Sequence, residues 1–441
     1  MNNKDSFMDF KGIFRALKHR NYRLFFGGQT ISLVGTWMQQ VALSWMVYRL
    51  ANSVFLLGAM GFVIQIPAFI LTPIAGVIAD RCPRHRILVI TQVLAMLQAL
   101  ILSALVLTGA ITIWHIFALG IFIGLVNAFD IPIRQAFTVE MIEGQDDLGN
   151  AIALNSSMFN FARLLGPAIA GILISLIGES GCFLLNAVSY LAVIISLLAM
   201  RIIPQRIEFK NVPVLSELKD GLKYAFGFKP IKHILLLLAL VSLTGVPYQL
   251  LMPVFARDIF HGGPRTLGFL VAMSGLGAFS GTIYLAAKKT VIGLGRNIAQ
   301  ATALFGLGII SFSLSRVFWL SLLFTFIAGF GIMVQMAASN TILQTIVDED
   351  KRGRLMSLYT MAFMGTAPLG SLWAGSLASH IGAPYALLIG GFCCIISAFI
   401  FARQLPALRE KIRPIYVKKG IIMEVVSGIQ SAARLEIFSK E

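Results

Sequence analysis

The feature that most limits what this chain can become is an alternation. Apolar runs of about 20 residues, the length of helix that crosses a membrane, are separated by short segments that carry nearly all the charge. A segment in the hydrocarbon core must pair its own backbone N–H and C=O groups, so apolar runs of this length span as helices. Twelve runs are read, at about 24–48, 54–79, 87–108, 112–134, 149–177, 182–200, 233–256, 266–287, 297–315, 318–346, 355–380 and 384–402. Very short turns such as Gly109–Ala110 and Gly382–Ala383 force antiparallel helix pairs. The expected fold class is an all-α polytopic membrane protein with twelve transmembrane helices in two six-helix pseudo-symmetric halves.

The charges test that reading. Charged residues are 13% of the 441, against about 25% in a soluble globule. Of the 36 Lys and Arg, Arg49, Arg257, Arg265 and Arg316 fall on one side of the expected bilayer, Arg163 falls inside a run, and all the others fall on the opposite side. Lys and Arg mark the cytoplasmic side, so both termini are expected there. The net charge of +16 does not point to nucleic acid, because the basic residues are spread over many loops and tails.

The organisation that follows is a cytoplasmic N-terminal segment (1–23), a six-helix half (24–200), a cytoplasmic linker (201–232), a second six-helix half (233–402) and a cytoplasmic tail (403–441). In the linker Leu215, Leu218, Leu222 and Phe226 recur at helical spacing, with Lys219 and Lys223 between them. This suits an amphipathic helix on the membrane surface. A second is expected in the tail, with Ile422, Val425, Val426, Ile429 and Ala433 on one face. The polar, basic segment 1–23 does not have the form of a cleavable signal peptide, and the first span is expected to act as the insertion signal.

The halves echo each other. Ser156 to Pro167 and Ser357 to Pro368 share a spacing, and each Pro is followed by Gly residues seven apart, Gly171 and Gly178, then Gly375 and Gly382. Repeats of this kind belong to secondary transporters that alternate two halves around a central site. Cys82, Cys182, Cys393 and Cys394 have no metal-ligand spacing, the six His are scattered, and no P-loop is present. No enzyme, cofactor or metal site is expected.

Between the second and third runs the chain reads GVIADRCPRHR, Gly76 to Arg86. It resembles the loop 2–3 signature of the major facilitator superfamily: Gly76, Ala79, Asp80, Arg81 and Arg84 match, while Pro83 and His85 depart from it. Ala162 to Gly171 reads ARLLGPAIAG. It resembles the span-five signature of the superfamily's exporters at Gly166, Pro167 and Gly171, with Ala162 and Ala170 in place of glycines. Small residues there let helices approach, and Pro167 permits a bend. The runs FRALKHRNYRLFFGGQTISLVGTWMQQVALSWMVY, NAFDIPIRQAFTVEMI and GRLMSLYTMAFMGTAPLGSLWAG extend the resemblance over almost the whole chain, to the branch that includes the enterobactin exporter and the third drug–proton antiporter family. The resemblance implies the major facilitator fold and an inner-membrane location. It also implies export of a small organic compound such as a siderophore, drug or similar amphiphile, by exchange against protons. The arginine usual near the middle of span four is absent. An importer of a nutrient or lipid and a non-transporting sensor are the alternatives.

Charges within the bilayer are costly and usually functional or paired. Two are expected here, Asp130 and Arg163. Asp130 lies one turn from Arg134; a gate pair with Arg134 or the Gly76 loop, proton carriage and a helix-end role all fit. Arg163 suits an anionic part of the cargo or a structural anchor. If spans one, four, seven and ten line a cavity, Gln29, Thr36, Trp37, Gln40, Asn127, Tyr248, Gln335 and Asn340 are candidates to contact substrate, with Asn155 and Arg163 of span five. Gly76, Asp80, Arg81, Arg84, Asp130, Arg134, Gly166, Pro167 and Gly171 are the gating candidates. The expected partners are a small-molecule substrate, protons and the lipid bilayer, with the protein acting as a monomer.

Overall fold

The computed structural model describes residues 14–79, 82–142, 146–201, 223–288 and 290–422. Among them there is helix and no strand. Asp80, Arg81 and most of the linker lie outside the described residues, as do Val425, Val426, Ile429 and Ala433 of the tail. Phe226 lies on a short helical stretch at 223–227.

The helices are α1 (Arg20–Ala51), α2 (Val54–Ala79), α3 (Arg84–Leu107), α4 (Ile113–Glu140), α5 (Leu148–Leu198), α6 (Lys229–Thr244), α7 (Tyr248–Val254), α8 (Pro264–Ala286), α9 (Leu294–Leu314), α10 (Phe318–Ile346), α11 (Arg352–Met364), α12 (Ala367–Ile381) and α13 (Ala383–Lys418). Nine helical stretches among the described residues are long and apolar enough to cross a membrane. Four expected spans are broken or joined. The runs at 149–177 and 182–200 are two arms of α5, which bends at Gly178 (φ 73°). That backbone angle favours glycine. The run at 233–256 divides into α6, α7 and a π turn, Phe255–Ile259. The run at 355–380 breaks between α11 and α12, just before Pro368. The last helix passes its expected end at 402, running through Pro406 and Pro414 to Lys418. Lys419 then donates to the carbonyls of Thr345 and Val347 at 2.8 and 3.0 Å. These carbonyls lie at and just beyond the C-terminus of α10, where a cation suits the helix dipole.

The end of α1, the start of α2 and the end of α12 come together where Tyr48 meets Asp258 and Gly58 faces Gly375, so α1 begins and α13 finishes at the opposite end of the bundle, called here the terminal end. In the first half α1 packs along α5, α2 along α4, and α3 along α5. A buried polar chain joins three elements there: Asn186 donates to Gln39 (2.7 Å) and Gln39 donates to Gln98 (2.9 Å). In the second half α10 packs between α8 and α9, and α13 lies along α9.

The N-terminal segment is clasped to the terminal end. Asp147, buried before α5, faces Arg15, Lys18 (2.6 Å) and His19 (2.9 Å). The hydrogen bonds from Lys18 and His19, with the charges of Lys18 and Arg15, outweigh burial and hold its carboxyl well down, at about 2. A depressed carboxyl contributes stability above its unfolded pKa, and the contribution is lost as pH falls through the folded value. The clasp is therefore expected to hold at neutral pH and to loosen between about pH 4 and about pH 2. Asp147→Asn should loosen it at neutral pH, seen as faster tryptic cleavage at Arg15 and Lys18. Cleavage unchanged from the native protein would show that the clasp contributes nothing.

Candidate transport site

The two halves meet along two helix pairs. On α5 and α8 the backbones touch: a Cβ on Gly268 would stand 2.6 Å from the Pro167 carbonyl oxygen and 2.8 Å from the Gly171 Cα. One on Gly275 would stand 2.8 Å from the Arg163 carbonyl oxygen. On α2 and α12, Gly58 and Gly375 face each other, a Cβ on either lying 2.6 Å from the other's Cα. Gly171 and Gly375 are the first glycines of the seven-apart pairs that follow Pro167 and Pro368, four and seven residues on. Each lies in a cross-half contact, and each is followed seven residues later by a positive-φ glycine, Gly178 or Gly382.

Both contacts run from mid-height toward the end opposite the termini. A polar cross-half contact joins them there. Tyr48 of α1 donates to Asp258 of the π turn. Arg257 lies over the Tyr48 ring at 5.6 Å and donates to Asn52 Oδ1 at 3.2 Å. Beside it opens a cavity of about 480 Å³, lined by Tyr48, Asp258, His261 and Arg316 among others. Sequence reasoning did not single out Tyr48 or Asp258. The available signal was that both sit at the far ends of helices related by the repeat, the first and the seventh spans.

Arg163 lies at mid-height, at the terminal-side limit of the α5–α8 contact. Its guanidinium carbon is 6.0 Å from the Trp37 ring centroid, and Tyr248 lies within electrostatic reach. Trp37 meets Phe159 edge-on at 5.7 Å, and Gly166 packs under Trp37 and Val34. Tyr248 bonds Ser274 at 2.5 Å, and Gln249 donates to the same hydroxyl at 3.1 Å. From Arg163 toward the terminal end α5 shows exposed residues, Phe159, Ser157, Ser156 and Ile152.

The other candidates divide. Thr36 and Gln40 are exposed on α1, and Asn127 is half-buried on α4. Gln29 is buried, and its Oε1 has no hydrogen-bond partner among the described residues. Three are held within their own half or by their own helix. Asn155 accepts from Tyr22 at 3.0 Å and donates to Thr138 at 3.2 Å, tying α1, α4 and α5 inside the first half. Asn340 accepts from Gln344 on its own helix at 2.9 Å. Gln335 is fully buried. It sits one turn from Gly331, whose face is pressed on Phe305 of α9, so it points into the second half.

Among the gating candidates, Gly76 lies near the end of α2. Asp130 is buried, with Oδ1 accepting from Thr91 (2.9 Å) and Gln92 (2.7 Å) and Oδ2 facing Arg134 at 3.4 Å. Arg84 pairs with Glu140 at 2.7 Å, an acid that sequence reasoning had not singled out.

Two helical halves meeting on close glycine contacts, with a cation at mid-height, suit a transporter of the major facilitator class. The profile of transmembrane secretion effectors matches residues 11–417, and the chain belongs to that family. It is 26% identical over 391 residues to the staphyloferrin A transporter of Staphylococcus aureus, covering 87% of this chain and 96% of that one. It is 24% identical to the multidrug efflux pump Tap of Mycolicibacterium fortuitum, over 84% and 92% of the two chains. Among solved structures it resembles a bacterial homologue of the iron transporter ferroportin in an inward-facing state, with TM-score 0.67, 16% identity and coverage of 88% and 98%. The chain is thus a multi-pass membrane transporter of small molecules and not an enzyme.

Proposed function

We propose that the chain exports a small organic amphiphile across the inner membrane by proton antiport, alternating access to a site at Arg163. The terminal end is read as cytoplasmic, and the chain works as a monomer, since one chain supplies both halves of the site. The observation that supports the reading is where the cross-half contact stops: α5 and α8 pack backbone to backbone from Arg163 to Gly171, while Phe159, Ser156 and Ile152, which continue the same face of α5 toward the terminal end, are exposed. Such a shape suits the cytoplasm-facing state of a transporter whose halves rock about a central site.

The test is metabolite profiling of a deletion strain and its complemented parent. Export predicts that a compound accumulates inside the deletion strain, and that everted vesicles bearing the transporter take it up when a pH gradient is imposed. Depletion inside the deletion strain would make the protein an importer, and no change in either pool would remove transport altogether. Orientation has its own check. A cytoplasm-active reporter is expected to be active when fused after Glu441 and inactive when inserted at Gly262–Gly263; activity at the second site would overturn the assigned sidedness.

For Asp130 we favour a conformational role, because Thr91, Gln92 and Arg134 already satisfy its carboxylate within one half. Asp130→Asn removes the charge that holds Arg134, and hydrogen bonds to a charged group contribute about 1.5–3 kcal/mol. The variant is expected to slow both pH-driven export and downhill counterflow by roughly tenfold or more. Full counterflow with pH-driven export abolished would instead make Asp130 the proton carrier.

A further inference from the structure

We infer that the central site selects organic anions: a carboxylate-like group of the cargo pairs with Arg163 while an apolar or aromatic part lies against Trp37 and Phe159. This rests on the transport reading above and adds the chemical class of the cargo. Arg163 offers five N–H donors. Among the described residues it donates no hydrogen bond and has no carboxylate within ion-pair distance; what faces it is the Trp37 ring and, farther off, Tyr248. A structural anchor would show a carbonyl or an acid at its fork.

Four acids of the described helices are engaged elsewhere. Asp130 faces Arg134, Glu140 faces Arg84, Glu179 faces Arg49, and Asp258 accepts from Tyr48. A cation at membrane mid-height without a counter-charge is costly, and a ligand that brings one removes that cost as it binds. The rings beside it fit the rest of the ligand. Trp37 is half-buried and Phe159 is 45% exposed, on the side open toward the terminal end.

The test uses a matched pair of probes, 1-naphthaleneacetate and its neutral amide, on the full chain in phosphatidylcholine nanodiscs, where no net anionic lipid competes. Tryptophan fluorescence reads binding. The native protein is expected to bind the acid about tenfold or more tightly than the amide, the difference that one charge-assisted pair provides. Arg163→Gln should erase the preference by weakening the acid far more than the amide, and Arg163→Lys should keep part of it. Equal binding of the two probes, a preference that survives Arg163→Gln, or no binding of either would each overturn the assignment. Its failure is separable from failure of the export reading. Equal binding with metabolite accumulation intact in the deletion strain rejects only the anion class. A lost preference in Arg163→Gln with no accumulation rejects only export.

Discussion

Gly375→Val is expected to stop export almost completely while leaving a monodisperse, folded protein. A Cβ at this position would stand 2.6 Å from the Gly58 Cα and 3.2 Å from the Val54 carbonyl oxygen. Both are backbone atoms and cannot swing aside, so the added methyls are accommodated only if α2 and α12 part. Overpacking of this kind costs about 1–3 kcal/mol. Set against the closed state of the far end, that shifts the ratio of access states by roughly ten- to a hundredfold. The measurable sign is faster labelling of a cysteine at Ser371, buried in the same contact, by an impermeant maleimide added outside intact cells. Gly171→Val should act the same way at the α5–α8 contact, where a Cβ meets the Pro264 carbonyl oxygen at 2.9 Å. Native labelling rates and native export in both variants would show that these seams do not move during transport.

Loss of the Tyr48–Asp258 contact is expected to have an effect of similar size, through polarity instead of volume. The bond crosses the two halves at the far end, and the Arg257 contacts to Tyr48 and Asn52 cross with it. Asp258 sits on a π turn, where the helix makes room for an extra residue; such turns gather at functional places. Tyr48→Phe removes a donor to a carboxylate, worth about 1.5–3 kcal/mol, and favours the far-end-open state by roughly ten- to a hundredfold. Asp258→Asn should do the same, and the double variant should be little worse than either single one, because both remove one interaction. The readout is again external labelling at Ser371, with export measured alongside. Additive effects would mean that the two residues act separately and that the contact is not a latch.

Much of the fold was open to reading before any coordinates. Gly171, Gly178, Gly375 and Gly382 stood out by spacing alone. In space the first and third make the cross-half contacts, and the second and fourth take positive φ. Repeats preserve spacing because the two halves use the same packing twice. The breaks were legible only in part. Pro368 marks the one between α11 and α12, but Pro406 and Pro414 do not end α13, since neighbouring contacts hold a helix that local propensity alone would interrupt.

The sequence by itself determined the class of protein: long apolar runs with basic loops admit only a helical membrane bundle, and its charge asymmetry orients that bundle by expectation. It also located Arg163, because a cation is conspicuous where nearly everything is apolar. The tertiary structure alone decided which polar side chains face the seam between halves and which are buried inside one half. Gln335 and Asn155 went inside, while Tyr48 met Asp258 across 210 positions of chain. The physical reason is that a spanning helix is apolar almost all round, so the 3.6-residue period carries no direction. What a polar group faces then depends on helices hundreds of residues away, and hydropathy, a local quantity, holds no record of them.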